Sequence, residues 1–434
     1  MPGSFRYDGF DIVDASVVCR YSVGELQFVE QVTFNSALDA SDPAVRAAAR
    51  LIFLLAGVSY YKTSAPPVID LGEHALTATE RAFLHEFYLQ GLGEFAYRND
   101  LDLAIEIRAR EVAPEPAEYR PQPGRPLVPF GGGIDSIVSL EHVRSRFDDV
   151  ALFVSSPGGA LFDAIEAPAA LSALPIVRAT RTIDEKVLRS RELGFLNGHV
   201  PVTGVLSAVA VLAAVSVGRD AVVMSNERSA SVPTLVLADR SINHQYSKSW
   251  SFEKAFSAVL AESIGPRLAY FSLLRPYSEL WVAERFAKLR EYHHVFRSCN
   301  RAFHIDPAAR LDHWCGHCDK CCFIDLVLAP YLTPEELGDI FGGLEPLRND
   351  ELADQFRALL GVLADRKPFE CVGDIDECRA AIALAAQRPD RAHDSLVQSL
   401  AAQTPPGSDL PAQLMKATAP HAIPDEYSPE SVVV

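Results

Sequence analysis

The chain has 434 residues, 48% of them hydrophobic and 22% charged, which predicts a globular protein of about two or three domains. Its net charge of 40 − 57 = −17 disfavours non-specific nucleic-acid binding, so we expect no nucleic-acid partner. The chain does not open with a basic segment followed by an apolar one, and the apolar stretch 202–218 is too short for a membrane span. We therefore expect neither a signal peptide nor a membrane association.

The first elements along the chain predict an α+β domain over residues 1–111. Residues 5–35 alternate between apolar and polar types, as the strands of a hairpin do. Helical patterns follow over 43–62 and 77–98. The five prolines of residues 112–126 then indicate an extended linker.

From residue 127 onward, short apolar runs alternate with helical patterns, which predicts an α/β fold: a mostly parallel sheet with helices on both faces. The predicted strands are 127–130, 149–155, 174–179 and 220–225, and the predicted helices are 135–146, 160–173, 184–193 and 203–217. We assign residues 127–332 to this domain, 333–402 to a helical C-terminal region and 403–434 to an extended tail. Ligands of such sheets bind beyond the carboxyl ends of the strands.

A glycine-rich loop follows the first strand of this domain. Gly131, Gly132 and Gly133 separate the strand from a helical segment that begins with Asp135 and Ser136. Glycines let the backbone approach a ligand closely, and the N–H groups at a helix start attract anions, so the pattern predicts a bound phosphate. The loop has neither the Gly-Lys-Ser/Thr ending of a Walker A motif nor the spacing of a dinucleotide fingerprint. A turn without any ligand is the alternative.

Two further polar segments supply candidate substrate contacts and acid–base groups. The segment after the strand 220–225 offers Arg228 to hold a carboxylate or a phosphate. The segment "NHQYSKSW" places His244 and Lys248 four residues apart, on one face if the segment is helical. With His199 they are the candidate acid–base residues, although a structural role is the alternative for each. The candidate substrate-binding residues are Asn226, Glu227, Arg228, Ser229, Tyr246 and Ser247.

Five of the eight cysteines lie within residues 299–322, which is not the distribution of a disulfide framework, so we predict a reducing, cytoplasmic location. The spacing C-x₂-C-x₂-C, with one cysteine further upstream, supplies the four thiolates of a structural Zn²⁺ site. A glycine loop followed much later by this cysteine pattern resembles the cyano-deazaguanine synthase group of ATP-dependent enzymes, which implies a zinc clip on the C-terminal side of the fold. The predicted ligands are Cys299, Cys315, Cys318 and Cys321, with His313 and His317 as spare donors. An iron–sulfur cluster and a chance group of buried thiols are the alternatives.

The glycine loop resembles the SGGxDS loop of the PP-loop ATP pyrophosphatases. Gly132, Gly133, Asp135 and Ser136 are in register with that motif, while Gly131 stands where the family has serine. The resemblance implies an adenine nucleotide alpha hydrolase-like fold and cleavage of ATP between its α- and β-phosphates. It also implies Mg²⁺, with Asp135 holding the metal or orienting the loop.

Five longer stretches together resemble the ATP-dependent UDP-N-acetylmuramoyl-L-alanyl-L-glutamate epimerase family, over roughly residues 5–340. They are "AGVSYYKTSAPPVI" (56–69), "QGLGEFAYRNDLD" (90–102), "SNERSASVPTL" (225–235), "NHQYSKSWSFE" (243–253) and "WCGHCDKCCFIDLVLAPYL" (314–332). This resemblance implies inversion of the terminal L-glutamate to D-glutamate in a peptidoglycan precursor, with ATP and Mg²⁺. It also implies a partner ligase that adds L-glutamate.

An acyl-adenylate makes this inversion chemically reasonable, because it removes the charge of the carboxylate beside the α-proton. Two other functions remain open from the sequence. One is a deazaguanine nitrile synthase-like enzyme, or another PP-loop enzyme that adenylates its substrate. The other is a non-catalytic nucleotide-binding zinc protein.

Overall fold

The structure is a computed structural model that describes residues 3–158, 161–236, 241–298, 300–304, 307–363, 372–405, 407 and 409–429. Its strands are β1 (Phe5–Val13), β2 (Ser16–Val23), β3 (Leu26–Phe34), β4 (Val68–Asp70), β5 (Glu106–Arg108), β6 (Pro126–Pro129), β7 (Ala151–Pro157), β8 (Ile176–Thr182), β9 (Ala221–Met224), β10 (Leu235–Val236), β11 (Ser241–Ile242) and β12 (Ala269–Ser272). Its α-helices are α1 (Pro43–Ala56), α2 (Val58–Tyr61), α3 (Ala78–Gly91), α4 (Gly93–Arg98), α5 (Ile134–Arg144), α6 (Asp163–Ser172), α7 (Glu185–Leu188), α8 (Val202–Ser216), α9 (Trp250–Ser263), α10 (Glu279–Phe286), α11 (Asp319–Leu328), α12 (Pro334–Ile340), α13 (Ala353–Leu359), α14 (Ile375–Ala386), α15 (Ser395–Gln403) and α16 (Leu410–Leu414).

Ten of the strands form one sheet, in the order β12-β9-β6-β7-β8-β3-β2-β1-β4-β5. The strands β12, β9, β6, β7 and β8 pair in parallel, which confirms the predicted α/β class. The predicted hairpin over 5–35 is instead a three-stranded antiparallel meander, because residues 26–34 form a strand of their own. Strand β3 pairs with β8, so the N-terminal strands continue the same sheet. The domain boundaries drawn from the sequence stay predictions.

Both faces of the central strands are buried under helices. Successive side chains of a strand point to opposite faces, and here they belong to two separate apolar clusters. Val128 and Val223 lie in the cluster that contains residues of α5, α10 and α11. Leu127 and Val222 lie in the cluster that contains residues of α1, α8 and α9. The predicted helices on both faces are therefore confirmed.

The local predictions hold best where the apolar pattern is long. Helix α1 begins at Pro43, with the side chain of Asp42 accepting a hydrogen bond from the backbone of Ala44. The predicted helix 184–193 is wrong beyond its first turn, since α7 ends at Leu188. Strand β12 was not predicted, because four residues between turns carry too little periodicity.

The proline-rich segment 112–126 lies along the protein surface in an extended form. The backbone N–H groups of Ala117 and Tyr119 donate to the carbonyl oxygens of Ser263 and Ile264, both at 3.0 Å, at the end of α9. The hydroxyl of Tyr119 also donates to the carbonyl oxygen of Arg219 at 3.0 Å. The segment is therefore hydrogen-bonded to the end of α9 and to the loop that precedes β9.

One helical stretch of the described residues, 43–61, passes a test of length and hydropathy for a membrane span. Of its most apolar window, 83% is buried inside the protein, where α1 packs against α8. Core helices of globular proteins pass the same test, so the stretch is weak evidence for a membrane. The apolar stretch 202–218, which we expected to be too short for a membrane span, contains α8, and most residues of this helix are buried in the core.

Candidate active site

The glycine loop lies at the carboxyl end of β6, where it borders a cavity of about 340 Å³. Asn226 follows the end of the neighbouring strand β9 and lines the same cavity, as the predicted parallel sheet requires. The cavity lining includes Gly131, Gly133, Asp135, Ser136, Asn226 and Lys248. The structure thus places residues of three separate sequence segments around one cavity.

The three glycines of the loop meet different steric demands. Gly132 has a φ of +73°, and a Cβ atom there would collide with the carbonyl oxygen of Ala164, so only glycine fits. A Cβ on Gly133 would lie 2.6 Å from the hydroxyl oxygen of Ser298. A Cβ on Gly131 would meet no atom within 4 Å, so this position has room for a side chain.

Asp135 and Ser136 lie in the first turn of α5, beside the cavity. The hydroxyl of Ser136 donates to the carbonyl oxygen of Gly133 at 3.0 Å, so in this structure it closes the loop on itself. The buried carboxyl of Glu279 has a pKa well above its usual range, because of burial first and the nearby charge of Asp135 second. Two carboxyl groups therefore lie close together at the start of this helix.

The other predicted substrate contacts lie in different surroundings. Arg228 donates to the hydroxyl of Thr418 at 2.6 Å and lies 3.6 Å from the carboxylate of Glu377, so it faces the C-terminal helices. Ser229 donates to the carboxylate of Glu227 at 3.2 Å, and both side chains are buried.

Tyr246 and Ser247 are also buried. Tyr246 lines a second cavity, of about 620 Å³, between α3 and α9. None of Glu227, Arg228, Ser229, Tyr246 and Ser247 is among the described residues that line the glycine-loop cavity.

His199 and His244 come together although 45 positions separate them in the sequence. Their ring centroids lie 4.3 Å apart. Nδ1 of His244 is hydrogen-bonded to the carboxylate of Glu94, which also accepts a hydrogen bond of 2.6 Å from Arg98. Ligand atoms of the two histidines and Glu94 all lie within 4.8 Å of one another. This group, Glu94, His199 and His244, is called the histidine cluster below.

The expected helical face shared by His244 and Lys248 is wrong. The backbone N–H of Gln245 donates to the side-chain oxygen of Asn243, which makes a local turn at this point. Only Tyr246–Lys248 form a short 3₁₀ helix, so His244 lies outside it. The charges of His244 and of Lys248 nevertheless both lower the pKa of His199, so both side chains lie near that imidazole.

The surroundings of the histidine cluster shift the pKa values of its groups by different causes. Burial, followed by the charge of His244, lowers the pKa of His199 to about 4, so His199 is neutral at pH 7. Burial alone would raise the pKa of Glu94, but the hydrogen bond and charge of His244 outweigh it and lower the pKa. Burial, with the charge of Arg181 second, lowers the pKa of the neighbouring Lys62 to about 8. An ionised carboxylate therefore faces one imidazole while a neutral imidazole lies beside it.

A fully buried arginine, Arg275, connects the two polar segments of the site. It is 1% exposed. Its guanidinium donates to the carbonyl oxygen of Glu227 at 3.0 Å and to that of Lys248 at 2.6 Å. The carboxylate of Glu253 accepts two further bonds from it, at 3.0 and 2.8 Å. Arg275 was not among the predicted site residues, since no local sequence motif surrounds it.

Three of the four predicted zinc ligands converge at the start of α11. The sulfur of Cys321 lies 3.6 Å from that of Cys315 and 3.6 Å from that of Cys318. Four thiolates about 2.3 Å from a tetrahedral Zn²⁺ lie about 3.8 Å apart, so this spacing fits such a site. The fourth predicted ligand, Cys299, lies outside the described residues.

The spare donors predicted for the metal lie elsewhere. His313 pairs with the carboxylate of Asp312 at 2.7 Å, and a ring nitrogen of His317 lies 2.6 Å from the carbonyl oxygen of Cys315. Among the described residues, neither histidine belongs to the group of sulfurs.

Comparisons with known proteins match nearly the whole chain. The model of the MurL N-terminal domain matches residues 3–273, and that of the MurL C-terminal domain matches residues 295–414. A relative from Xanthomonas oryzae pv. oryzae (strain MAFF 311018), named UDP-N-acetyl-alpha-D-muramoyl-L-alanyl-L-glutamate epimerase, is 41% identical over 392 residues, which cover 89% of this chain and 85% of the relative.

Two further relatives carry the same name. The relative from Salinispora tropica (strain ATCC BAA-916 / DSM 44818 / JCM 13857 / NBRC 105044 / CNB-440) is 40% identical over 402 residues, covering 89% of this chain and 85% of its own length. The relative from Micromonospora sp. (strain ATCC 39149 / NRRL 15099 / SCC 1413) is 39% identical over 425 residues, covering 93% of this chain and 91% of its own length.

Proposed function

Because the chain belongs to the UDP-N-acetyl-alpha-D-muramoyl-L-alanyl-L-glutamate epimerase family, we propose that it inverts the terminal L-glutamate of this nucleotide-linked dipeptide to D-glutamate. The observation that carries the proposal is the agreement in name of three relatives that cover 89% or more of the chain. The product is a precursor for peptidoglycan synthesis. A ligase that adds L-glutamate must supply the substrate, and free cysteines at the described positions suit a cytoplasmic enzyme.

The chemical difficulty of this reaction is the acidity of the α-proton. Its removal beside an ionised carboxylate would place two negative charges on neighbouring atoms. Transfer of AMP from ATP to that carboxylate forms an acyl-adenylate and releases pyrophosphate, and the neutral carbonyl then accepts the electron pair of the broken C–H bond. Protonation of the opposite face and hydrolysis of the anhydride release the D-epimer and AMP. The net reaction consumes one ATP and one water for each inversion.

The glycine-loop cavity is the proposed ATP site. Gly132 allows close approach of the backbone, and the start of α5 directs N–H groups at an anion. Mg²⁺, with Asp135 as a ligand, would neutralise the phosphate charge. For Ser136 to donate to a phosphate, its hydroxyl would have to rotate away from the carbonyl of Gly133.

Acid–base work is assigned to His244, His199 and Lys248. Epimerisation requires two groups on opposite faces of the α-carbon, or one group that moves between them. The support is positional: the two imidazoles are in contact, and Lys248 lines the glycine-loop cavity while its charge acts on His199. An activated acyl group at this cavity would therefore lie beside Lys248. Neither histidine is among the described residues that line the cavity, so the substrate would have to extend beyond it to reach them.

The decisive experiment is a chiral analysis of glutamate released from the dipeptide nucleotide after incubation with enzyme, ATP and Mg²⁺. We expect D-glutamate to appear together with AMP and pyrophosphate, and neither without enzyme. Formation of ADP and phosphate would contradict the assignment of the loop. Retention of L-glutamate under all conditions would contradict the proposed function itself.

The glycine loop gives a steric test of the ATP site. Gly132→Ala is expected to abolish ATP cleavage, because its Cβ would collide with the carbonyl oxygen of Ala164 and displace the loop. Gly131→Ser is the matched control, since the added side chain meets open space, and its hydroxyl is a possible further phosphate donor. We expect this variant to bind ATP at least as tightly as the wild type in a calorimetric titration. ATP binding and cleavage at wild-type levels in Gly132→Ala would place the nucleotide elsewhere.

The cysteine group is proposed to hold a structural Zn²⁺ that stabilises the C-terminal side of the fold. Purified protein is expected to contain about one Zn²⁺ per chain, and Cys318→Ser is expected to lose the metal and to unfold or aggregate. Cys322→Ser is the control, because Cys322 is buried in α11 and is not part of the sulfur group. Elemental analysis measures the metal content of the wild type and of both variants. Iron with visible absorbance, or a stable protein without metal, would contradict the zinc assignment.

A further inference from the structure

We propose that Glu94 is a positioning residue of the epimerisation site, and that it holds His244 as the proton-accepting partner in the pair of contacting histidines. The inference rests on the proposed function and extends it to a carboxylate from the N-terminal part of the chain. Glu94 lies on α4, 150 positions before His244, and its side chain is 5% exposed.

The geometry around Glu94 is built from several independent contacts. Its carboxylate is hydrogen-bonded to Nδ1 of His244 and accepts from Nε of Arg98. The loop that carries His199 packs on the same helix, since Gly198 lies against Phe95 so closely that a Cβ atom would come within 3.1 Å of the ring. Both histidines are thus held against α4.

Hydrogen bonds hold the His199 loop in place from two further directions. The ammonium group of Lys62 donates to the side-chain oxygen of Asn197 at 2.7 Å and to the carbonyl oxygen of Gly198 at 3.2 Å. The side-chain amide of Asn99 donates to the carbonyl oxygen of Asn197 at 3.1 Å. A loop with this many fixed contacts is suited to holding an imidazole in one orientation.

A carboxylate that is hydrogen-bonded to Nδ1 of an imidazole determines whether Nε2 can accept a proton. With Nδ1–H donated to Glu94, the lone pair of His244 lies on Nε2, which is then the proton-accepting atom. The proton of the glutamate α-carbon moves to Nε2, and the C–H electron pair stays on the activated acyl group as an enolate. The imidazolium that forms is stabilised by the carboxylate of Glu94. The new C–H bond takes its proton from a second donor, for which Lys248 is the candidate, and solvent restores both groups.

Among the described residues, charged groups from three elements act on the pair. They are Glu94 and Arg98 from α4, Lys62 from the end of α2, and Lys248 from the 3₁₀ helix. Glu94 is the carboxylate among these groups, and the other three are cations. Its loss therefore disfavours the imidazolium form of His244 and lowers the pKa of that side chain.

The test compares Glu94→Gln with Glu80→Gln. Glu80 is also a buried glutamate, 4% exposed and paired with an arginine, but it caps the start of α3 and is not part of the site. In D₂O, Glu94→Gln is expected to lower deuterium incorporation at the glutamate α-carbon by about 10²-fold or more. Pyrophosphate formed in the first turnover is expected to stay within about threefold of the wild type, because Glu94 has no part in adenylation.

The pH profile separates a positioning role from a structural one. For Glu94→Gln, the limb of the exchange rate that reports His244 is expected to move to lower pH by about one unit, which corresponds to loss of one nearby charge. Glu94→Asp is expected to restore part of the rate with the wild-type profile, since it keeps the charge. Glu80→Gln is expected to lower the melting temperature and to leave the profile in place.

Three results would overturn the inference. One is a Glu94→Gln variant with the exchange rate and pH profile of the wild type, or with the behaviour of Glu80→Gln. Another is a second tightly bound transition-metal ion in the wild type that both Glu94→Gln and His244→Gln lose, which would make the histidine cluster a metal site. The third is equal loss of first-turnover pyrophosphate and of exchange. If the wild type itself does not invert glutamate, the proposed function fails first.

Discussion

Replacement of His244, His199 or Lys248 by a residue without a titratable group is expected to reduce α-deuterium incorporation in D₂O by about 10²-fold or more for each group that carries a proton. The variants are His244→Gln, His199→Gln and Lys248→Met, which keep approximately the volume of each side chain. The reason is positional, because the two imidazoles are in contact and the charge of Lys248 acts on His199. Mass spectrometry of the recovered glutamate measures the incorporation.

His293→Gln is the matched control for these variants. His293 is also a buried histidine, but its ring is bonded to the backbone carbonyl oxygen of Phe286 at 3.2 Å, outside the glycine-loop cavity and the histidine cluster. We expect it to retain the exchange rate. Full exchange in all three site variants would mean that the proton carriers lie elsewhere and that "NHQYSKSW" has a structural role.

ATP dependence gives the second half of the same experiment. Without ATP, the wild type is expected to incorporate no α-deuterium, since the free carboxylate is a poor electron acceptor. Comparing the rate of glutamate inversion with the rate of α-deuterium exchange in each single variant distinguishes one base from two. If the enzyme uses one base, removal of a group that is not that base leaves the exchange rate unchanged. Deuterium incorporation in the absence of ATP would refute the adenylate intermediate.

The parts of the site that the sequence predicted are those encoded by local patterns. The glycine loop follows a short apolar strand and begins a helix, so both its position at the end of β6 and its cavity follow from parallel-sheet geometry. The cysteine spacing likewise places Cys318 and Cys321 one turn apart at the start of α11. Each of these features could be predicted from residues close together in the sequence, together with the rule that ligands bind beyond the carboxyl ends of parallel strands.

The parts that the sequence did not predict depend on pairing between distant segments. Strand β3 meets β8 although about 150 residues separate them, and no local pattern specifies that contact. The same separation hides the hydrogen bond between Glu94 and His244. The four-residue spacing of His244 and Lys248 places them on one face only in a helix, and the turn at Asn243 keeps His244 out of the short helix that contains Lys248.

Arg275→Met is expected to lower the free energy of unfolding by about 3–5 kcal/mol, because it leaves a buried carboxylate without its cation. Glu253 would lose both of its hydrogen bonds from the guanidinium, and the carbonyl oxygens of Glu227 and Lys248 would each lose a donor. Chemical denaturation followed by circular dichroism measures the loss. Arg178→Met is the matched control: Arg178 forms a bidentate pair with Glu166, but that pair is about one third exposed, so its loss is expected to cost about 1 kcal/mol or less.

The double variant Arg275→Met/Glu253→Gln separates stability from catalysis. Removal of the unpaired carboxylate is expected to restore part of the folding free energy, because the uncompensated buried charge is gone. Turnover is not expected to recover, since the hydrogen bonds by which the guanidinium joins the carbonyl oxygens of Glu227 and Lys248 at the edge of the cavity are still missing. A double variant that regains both stability and epimerisation would show that Arg275 only neutralises Glu253. One that regains stability alone would establish that the guanidinium aligns the two segments for catalysis.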